Sequence, residues 1–407
     1  MTRPSLHDDT WLLPEGIEEI LPDDAARLER MRREVLDLFS TWGYRLVVTP
    51  LIEFMESLLT GTGHDLDIKT FKLIDQVSGR LLGVRADMTP QVARIDARHS
   101  EEGVPSRMCY LGTVLHTLND RLESSRSPMQ VGAELYGHAG GASDLEVVAL
   151  MLEMLAVAGI SSVHLDLGHV GIYRSLAAAA RLDSITEREL FEILQRKARP
   201  ELGEWLTAAA VTPTVADQFA ALIDLNGGVE VLAQARQRLA AGDGALHRAL
   251  DELESIAHAV QRRFPSLPIH FDLAELRGYH YQTGVVFAAF VPGYGREIAR
   301  GGRYDDIGRV FGHARPATGF SADLRVLARL GVQSPAGDDL HGTVFAPSVE
   351  DESLHIEIRR LRAAGRTVIC ELPGQAASPQ AMGCTHRLES RAGAWQLTPV
   401  SEFDGPA

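Results

Sequence analysis

The sequence predicts an α+β protein with an antiparallel sheet flanked by helices, a helical insertion and a small C-terminal α/β domain. Short alternating apolar segments, typical of strands, are separated by segments with apolar residues at helical spacing. From about residue 171 to 264 the composition becomes rich in Ala, Leu, Arg and Glu, with few strand signals. A Ser-Pro-Ala-Gly-Asp-Asp stretch at 334–339 is typical of a linker. The 407-residue chain therefore divides into residues 1–330, which include the insertion, and residues 331–407.

Composition restricts the class of protein. Hydrophobic residues make up 45% and charged residues 23%, as in ordinary globular proteins. The formal net charge of -15 disfavours nonspecific attraction to nucleic acid. Three cysteines (Cys109, Cys370, Cys384) show neither metal-ligand spacing nor a disulfide framework, which favours reduced thiols in the cytoplasm. No apolar run reaches membrane-spanning length, and the N-terminus lacks the apolar core of a signal peptide, so we expect a cytoplasmic protein without a membrane partner.

The first elements are a helix, a strand and a hairpin. Apolar residues recur at helical spacing after Pro22-Asp23 and predict a helix that ends near Gly43. The segment 45–50 predicts a strand that stops at Pro50. Segments 71–75 and 81–85 predict a hairpin around Ser78-Gly79, and a further helix is expected from Thr89.

Polar residues then mark a candidate ligand pocket. Asp87 and Thr89 are two residues apart, and on a strand they would share one face, which suits an ammonium ligand. The alternative is that Asp87 caps the following helix. Gln130 and Glu134 are four apart on the predicted strand 129–137 and share a face, where a buried glutamate would need a donor such as an imidazole N–H. The alternative is an exposed glutamate on a one-sided sheet.

The second half continues with a helix that Asp144 would cap, a strand at 163–167, the helical insertion and a strand at 269–273. His247 and His258 in the insertion show no metal spacing and are expected at the surface. The segment 276–287 predicts a turn that leads into a strand. Its dense polar and aromatic side chains favour a ligand pocket.

This segment resembles the histidine-binding signature of histidyl-tRNA synthetases, Arg-Gly-Leu-Asp-Tyr-Tyr-Thr-Gly. Arg277 and Tyr281 match it, Tyr279-His280 replace Leu-Asp, and Gln282 replaces the second Tyr. The resemblance implies a class II aminoacyl-tRNA synthetase-like fold. The helix and strand that end at Pro50 resemble the first class II motif, which forms the dimer interface and implies a self-dimer. Gly301-Gly302-Arg303-Tyr304-Asp305 matches a synthetase element that we expect to form a glycine turn beside the pocket.

The positions that activate ATP depart from the synthetase pattern. At the second motif, His116 and Leu118 replace an arginine and a glutamate. At the third motif, Asp323 replaces a glycine and Val326 replaces the arginine for the γ-phosphate. An imidazole lacks the bidentate fork that arginine presents to phosphate, and Arg325 points about 100° away from Val326 on a helix. Adenylation should therefore be lost.

With this split, the chain is similar to the histidyl-tRNA synthetase-like regulatory subunits of ATP phosphoribosyltransferase. Strings such as Arg-Ala-Asp-Met-Thr-Pro-Gln at 85–91 and Val-Leu-His-Thr at 114–117 carry the resemblance. It implies a non-catalytic chain without a cofactor. Its partner would be a short catalytic subunit, in a hetero-octamer that carries out the first step of histidine biosynthesis under histidine feedback. Alternatives are a working histidyl-tRNA synthetase and a histidine ligase that acts on something other than tRNA.

The same resemblance implies a histidine site. Glu134 and Tyr281 would bind the imidazole, Asp87, Thr89 and Gln130 the α-ammonium, and Arg277 the α-carboxylate. The regulatory histidine could lie in this pocket or at a subunit interface. The region after residue 330 is short for an anticodon-binding domain, and its ten acidic residues against six arginines argue against binding tRNA. Two strands, a helix and a final strand pair are predicted there.

Overall fold

The computed structural model describes residues 12–59, 64–101, 103–118, 125–209, 211–240, 243–275, 281–312, 314–331, 342–374 and 378–400, without the side chains at 64, 65 and 184. Two compact units are present, residues 1–332 and 333–407. The helices are α1 (Pro22–Thr41), α2 (Met55–Leu58), α3 (His64–Lys69), α4 (Thr89–His99), α5 (Gly141–Val157), α6 (Val170–Ala180), α7 (Ser184–Gln195), α8 (Arg199–Ala208), α9 (Pro213–Asp224), α10 (Glu230–Arg238), α11 (Gly244–Arg263), α12 (Leu324–Leu330) and α13 (Glu352–Ala363).

The strands of the first unit are β1 (Arg45–Leu46), β2 (Ile52–Phe54), β3 (Lys72–Ile74), β4 (Leu81–Val84), β5 (Ser106–Thr113), β6 (Met129–Tyr136), β7 (His164–His169), β8 (Asn226–Gly227), β9 (Ile269–Asp272), β10 (Val285–Phe290), β11 (Ala299–Arg303) and β12 (Ala317–Asp323). Nine of these described strands form one sheet in the order β1-β5-β6-β12-β11-β10-β7-β9-β8. The run from β5 to β7 is antiparallel throughout. The predicted α+β fold with an antiparallel sheet is confirmed.

One face of this sheet is buried by helices. Helix α1 turns Leu28, Met31, Val35 and Phe39 inward, as its apolar spacing predicts, and it begins with Pro22 in the first turn. Helix α5 is apolar on nearly all sides and lies in the same core, because α1, α11 and the sheet surround it. The described helices α6 to α11 form the helical insertion. The opposite face carries a second, smaller cluster of buried residues, in which α4 packs against Met108, Tyr110 and Tyr136.

The hairpin prediction is confirmed, since β3 and β4 pair antiparallel around a turn in which Asp75 accepts hydrogen bonds from Val77 and Ser78. The predicted strand over 45–50 is shorter, because regular pairing with β5 covers Arg45 and Leu46 alone. The second unit contains β13 (Val344–Ala346), β14 (Val368–Cys370), β15 (His386–Arg391) and β16 (Ala394–Pro399) beside α13. They are the two strands, the helix and the final strand pair that the sequence predicts after residue 330.

Two local predictions are wrong. Asp144 does not cap α5, whose N-cap is Gly140, and its carboxylate instead binds the Arg303 guanidinium. Gly301 and Gly302 do not form a turn but lie inside β11, between β10 and β12. A Cβ at Gly301 would overlap the backbone oxygen of Gly319, so the close approach of two strands explains this glycine.

Arg303 ties the sheet to the start of α5. Its guanidinium also donates to the Ser143 hydroxyl (2.8 Å) and to the Gly140 carbonyl oxygen (3.0 Å), and it contacts Asp305 at 3.1 Å. Burial raises the pKa of Asp144, and the adjacent Arg303 opposes that rise. The ion pair is therefore desolvated, and each partner depends on the other.

We expect Asp144→Ala to lower the free energy of unfolding by about 3 kcal/mol, because it leaves a buried guanidinium without its main counter-ion. Urea denaturation followed by circular dichroism measures the loss. The matched control is Glu201→Ala, which removes a half-exposed pair with Arg196 and should cost about 1 kcal/mol or less. Equal losses for the two variants would contradict the importance of the buried pair.

Candidate functional site

A buried carboxyl group lies near the centre of the sheet face that points away from the main helical core. Glu134, in the middle of β6, is 1% exposed. The Tyr110 hydroxyl of β5 donates to Oε1 at 2.9 Å, and the Tyr304 hydroxyl, directly after β11, donates to Oε2. Gly319 of β12 lies opposite Glu134, and a Cβ at this position would overlap Oε2. The alternative of an exposed glutamate is therefore wrong.

Burial raises the pKa of Glu134 to about 8, although the hydrogen bonds from Tyr304 and Tyr110 oppose that rise. Burial also raises the pKa of each tyrosine well above its usual range. At neutral pH, without a ligand, the group is mostly a neutral carboxylic acid held by neutral phenols. A ligand that donates a hydrogen bond or carries positive charge would favour the ionised form.

Gln130, four residues before Glu134 on β6, forms a second polar pair with Asp87. The Gln130 side-chain amide donates to Asp87 Oδ1 at 2.8 Å, and its oxygen accepts from the Met88 N–H at 2.9 Å. Thr89 connects this pair to the glutamate, since its hydroxyl lies 3.0 Å from that of Tyr110. Asp87, Thr89, Gln130 and Glu134 are thus brought together, as predicted.

The route by which Asp87 and Thr89 reach the site differs from the prediction. They do not share a strand, because β4 ends at Val84 and Thr89 is already the first residue of α4. Asp87 Oδ1 accepts from the Thr89 N–H at 2.9 Å, so this oxygen also satisfies the start of the helix. Among the described residues, no donor binds the other oxygen, Oδ2. Asp87 is not the N-cap of α4, which is Met88, so the capping alternative is wrong in this form.

The signature segment contributes Tyr281 and Gln282. Tyr281 is 39% exposed, and its hydroxyl lies in the field of Asp87 and Glu134. Gln282 is 6% exposed, and its side-chain oxygen has no hydrogen-bond partner among the described residues. Arg277 lies outside the described residues.

The positions that hold ATP in synthetases are occupied by internal contacts. The His116 ring lies 2.9 Å from the Ala86 carbonyl oxygen, beyond the end of β5, and Leu118 is 58% exposed. Val326 is buried in the main core. These side chains offer no fixed cation to a triphosphate.

Asp323 and Arg325 are also engaged within the protein. Asp323 Oδ1 accepts from the backbone N–H groups of Met129 (3.1 Å) and Arg325 (3.0 Å), so it caps α12 and fixes the register of β12 against β6. The Arg325 guanidinium contacts Glu18 at 2.7 Å and donates to the Ser127 carbonyl oxygen at 3.1 Å. As expected, Arg325 does not take the place of the missing arginine.

Sequence reasoning missed the two tyrosines that hold Glu134. Tyr110 and Tyr304 lie in stretches that resemble synthetase motifs, yet they are far from Glu134 in the sequence. Their pairing follows from strand order alone, because β5 and β11 lie on either side of the β6-β12 pair. The available signal was Gly319 in the third-motif stretch, because a glycine within a strand often marks close approach by another group.

Other kinds of site receive no support from the described part of the chain. It contains no group of three or more His, Cys, Asp or Glu residues that could hold a metal ion. The three cysteines are free thiols. None of the helices described is long and apolar enough to cross a membrane.

Comparison with known proteins agrees with the fold and identifies the family. Residues 16–327 match the histidyl-tRNA synthetase family, and residues 341–398 match the ATP phosphoribosyltransferase subunit HisZ C-terminal domain. The ATP phosphoribosyltransferase regulatory subunit of Methylococcus capsulatus is 60% identical over 98% of both chains. That of Thioalkalivibrio sulfidiphilus is 58% identical over 93% of this chain and 95% of its own length. The chain belongs to the ATP phosphoribosyltransferase regulatory subunit family.

Solved structures place this regulatory-subunit family beside the synthetases. A crystal structure from Bacillus halodurans, described as an ATP phosphoribosyltransferase regulatory subunit/histidyl-tRNA synthetase, superposes with a TM-score of 0.80 at 26% identity. It covers 94% of this chain, which covers 97% of that one. Histidyl-tRNA synthetase from Nostoc has a TM-score of 0.73 at 19% identity, with 93% and 91% of the chains covered, and shares the fold. The predicted class II synthetase-like fold and family resemblance are confirmed.

The raised pKa of Glu134 predicts a pH dependence of stability for this member of the family. Between about pH 4.5 and about pH 8 the folded chain holds a proton that the unfolded chain has released, so the free energy of unfolding should fall as pH rises. A glutamine cannot ionise, so Glu134→Gln should lack this fall in the free energy of unfolding, which amounts to a few kcal/mol across the range. Urea denaturation at pH 5 and pH 8 measures it as the difference between wild type and variant. Parallel pH profiles would contradict the raised pKa.

Proposed function

We propose that this chain is the histidine-sensing regulatory subunit of an ATP phosphoribosyltransferase and performs no chemistry of its own. One observation carries the proposal. The polar groups that would meet an amino acid are gathered on one sheet face, whereas those that would meet ATP are replaced or engaged within the protein. Family membership supplies the reaction that is regulated.

In the proposed complex, L-histidine lies over β6. Glu134 binds the imidazole from below, with Tyr281 as a second contact. Asp87, Thr89 and Gln130 bind the α-ammonium, because Asp87 Oδ2 is an acceptor that no described donor uses. Arg277 would bind the α-carboxylate. Histidine has a nitrogen for each of the two acidic groups, which explains why a buried carboxylic acid remains at a position where a hydrocarbon would be more stable.

The absence of adenylation follows from charge. Attack on the α-phosphate builds negative charge that preorganised cations must stabilise, and one such donor is typically worth about 3 kcal/mol or more. His116 bonded to a carbonyl oxygen and a buried Val326 supply none. The synthetase alternative and the histidine-ligase alternative both require these cations.

Regulation then requires a partner. We propose that the chain assembles in the cytoplasm with a short catalytic subunit as a hetero-octamer, that the catalytic subunit needs it for activity, and that it does not bind tRNA. Histidine would inhibit by favouring one conformation of this assembly. A coupling free energy of about 1–3 kcal/mol is sufficient for such feedback.

Three measurements on the purified chain test this function. Histidine-dependent ATP–pyrophosphate exchange should stay at background, since the phosphate-binding cations are missing. Calorimetric titration should detect histidine binding, and Glu134→Gln should weaken it about tenfold or more through the lost charged hydrogen bond. Added to a short catalytic chain, the protein should switch on transferase activity that histidine inhibits, and Glu134→Gln should shift the inhibition to higher histidine concentration.

Glu201→Gln, in the helical insertion, is the control and should change neither binding nor inhibition. Exchange above background would return the chain to the synthetases. Unchanged histidine affinity in Glu134→Gln would reject the imidazole contact while leaving the regulatory role open to the activity measurement.

The proposal includes a self-dimer. An apolar surface surrounds the end of β1 and the sheet formed by β2, β4 and β3, and its most exposed members are Val48 (87%), Ile74 (65%) and Val77 (95%). β1 is also the edge strand of the large sheet. Apolar side chains gathered at an edge strand are typical of a surface covered by another chain. The resemblance to the first class II motif supports a second copy as that chain.

Val48→Asp should therefore convert the dimer into a monomer, because the interface would bury an unpaired charge. Light scattering coupled to size exclusion measures the mass. The control is Ile185→Asp, an equally exposed apolar residue (72%) on α7 in the helical insertion, which should leave the mass unchanged. A Val48→Asp variant that remains dimeric would place the interface elsewhere.

A further inference from the structure

Strand β11 brings an arginine to the face that carries Glu134. Alternate residues of a strand point to the same side, so Arg300 shares a face with Gly302. Gly302 is paired with Gly319, which is paired with Glu134. Residues directly opposite on antiparallel strands also share a face. Arg300 and Glu134 therefore project from the same side of the sheet.

The strands between them define how near they are. Arg300 is paired with Ser321 of β12, and Ser321 with Gly132 of β6, which lies between Gln130 and Glu134. Two strand spacings amount to about 10 Å, and the side chain between them on β12, Ser321, is small. A long guanidinium side chain from β11 can lean over this gap toward a molecule held above β6.

The two arginines of β11 have different environments. Arg303 points to the helical face and is held there by Asp144. The side chain of Arg300 is 57% exposed, with a contact to Glu297 at 3.1 Å. Burial raises the pKa of Tyr281, and the positive charge of Arg300 opposes that rise. Arg300 is therefore close enough to Tyr281 to act on its hydroxyl. Arg300 is a cation that strand geometry brings to the face of the described sheet that carries Glu134.

A zwitterionic amino acid needs three kinds of partner. Acceptors for the ammonium lie at Asp87, and the imidazole has Glu134. The carboxylate needs a cation, and His116 and Arg325 are engaged with Ala86 and Glu18. A guanidinium matches a carboxylate through two parallel hydrogen bonds.

We propose that Arg300 binds the α-carboxylate of the histidine ligand and makes the site selective for the amino acid over its decarboxylated amine. This inference rests on the proposed histidine site. Arg300 would act in addition to the contact expected of Arg277 from the resemblance. Glu297 holds the guanidinium until the ligand carboxylate takes its place.

Calorimetry with three ligands tests the assignment on the full-length chain. Histidine carries the carboxylate, whereas histamine and L-histidinol keep the imidazole and amine without it. Arg300→Ala should raise the dissociation constant of histidine about tenfold or more. It should leave those of histamine and histidinol unchanged, which also demonstrates that the variant is folded. Arg300→Lys, with charge but no fork, should lie between wild type and Arg300→Ala.

Glu297→Ala separates a ligand contact from a structural ion pair. It should bind histidine at least as tightly as wild type, because it removes the carboxylate that competes with the ligand for the guanidinium. The inference is overturned if Arg300→Ala leaves histidine affinity intact, if it weakens all three ligands equally, or if Glu297→Ala reproduces its loss. If the wild-type chain binds none of the three ligands, the histidine site fails and this inference with it.

Discussion

The hydrogen bonds of one buried carboxyl group determine which residues can lie at the centre of the sheet. Glu134 can lie in the interior because Tyr110 and Tyr304 supply donors to both of its oxygens. That arrangement needs space, and the space comes from glycines. A Cβ at Gly319 would overlap the glutamate, and a Cβ at Gly132 would overlap the Tyr110 hydroxyl. Glycine weakens a strand by about 0.5–1 kcal/mol, so its presence at the centre of this sheet reflects the close approach that the site requires.

The residues beside β6, at the proposed amino acid site, and the residues beside α12, where a synthetase would bind ATP, differ in the partners of their polar groups. In the half beside β6, Asp87 and Gln130 bind each other through one oxygen and keep acceptor capacity toward the open face. In the half beside α12, Asp323 Oδ1 accepts from two backbone N–H groups, Arg325 pairs with Glu18, and Val326 joins the core. A phosphate would first have to break the Arg325–Glu18 pair to obtain a cation there.

Local patterns predicted the elements well where one face is buried. The spacing of Val35 and Phe39 fixes α1, and the turn at Ser78-Gly79 fixes the hairpin, because both signals involve neighbours in sequence. Prediction was wrong where a side chain binds a partner that is distant in the sequence. Asp144 has the appearance of a helix cap but binds Arg303, which is 159 residues away. The glycine pair of β11 has the composition of a turn, but strand packing requires it.

The candidate site shows the same division. Glu134 and Gln130 could be placed on one face from their spacing, because a strand has a period of two. Asp87 and Thr89 reach the site from a turn and a helix start, which strand spacing cannot describe. The tyrosine partners and Arg300 depend on strand order, which no local pattern contains. The resemblance predicts which residues would form a pocket, whereas the positions of Tyr110, Tyr304 and Arg300 relative to Glu134 follow from the fold.

Strand order also connects the site to the surface proposed for assembly. Glu134 on β6 is bonded to Tyr110 on β5, and β5 pairs on its outer side with β1, the edge of the apolar surface. A ligand that ionises Glu134 changes the charge next to Tyr110, whose hydroxyl sits in a fully buried position. Strand β5 therefore lies between the proposed ligand site on β6 and the edge strand β1. Because packed sheets shift as units rather than deform residue by residue, a change in the hydrogen bonds of Tyr110 can reach β1 through a single strand.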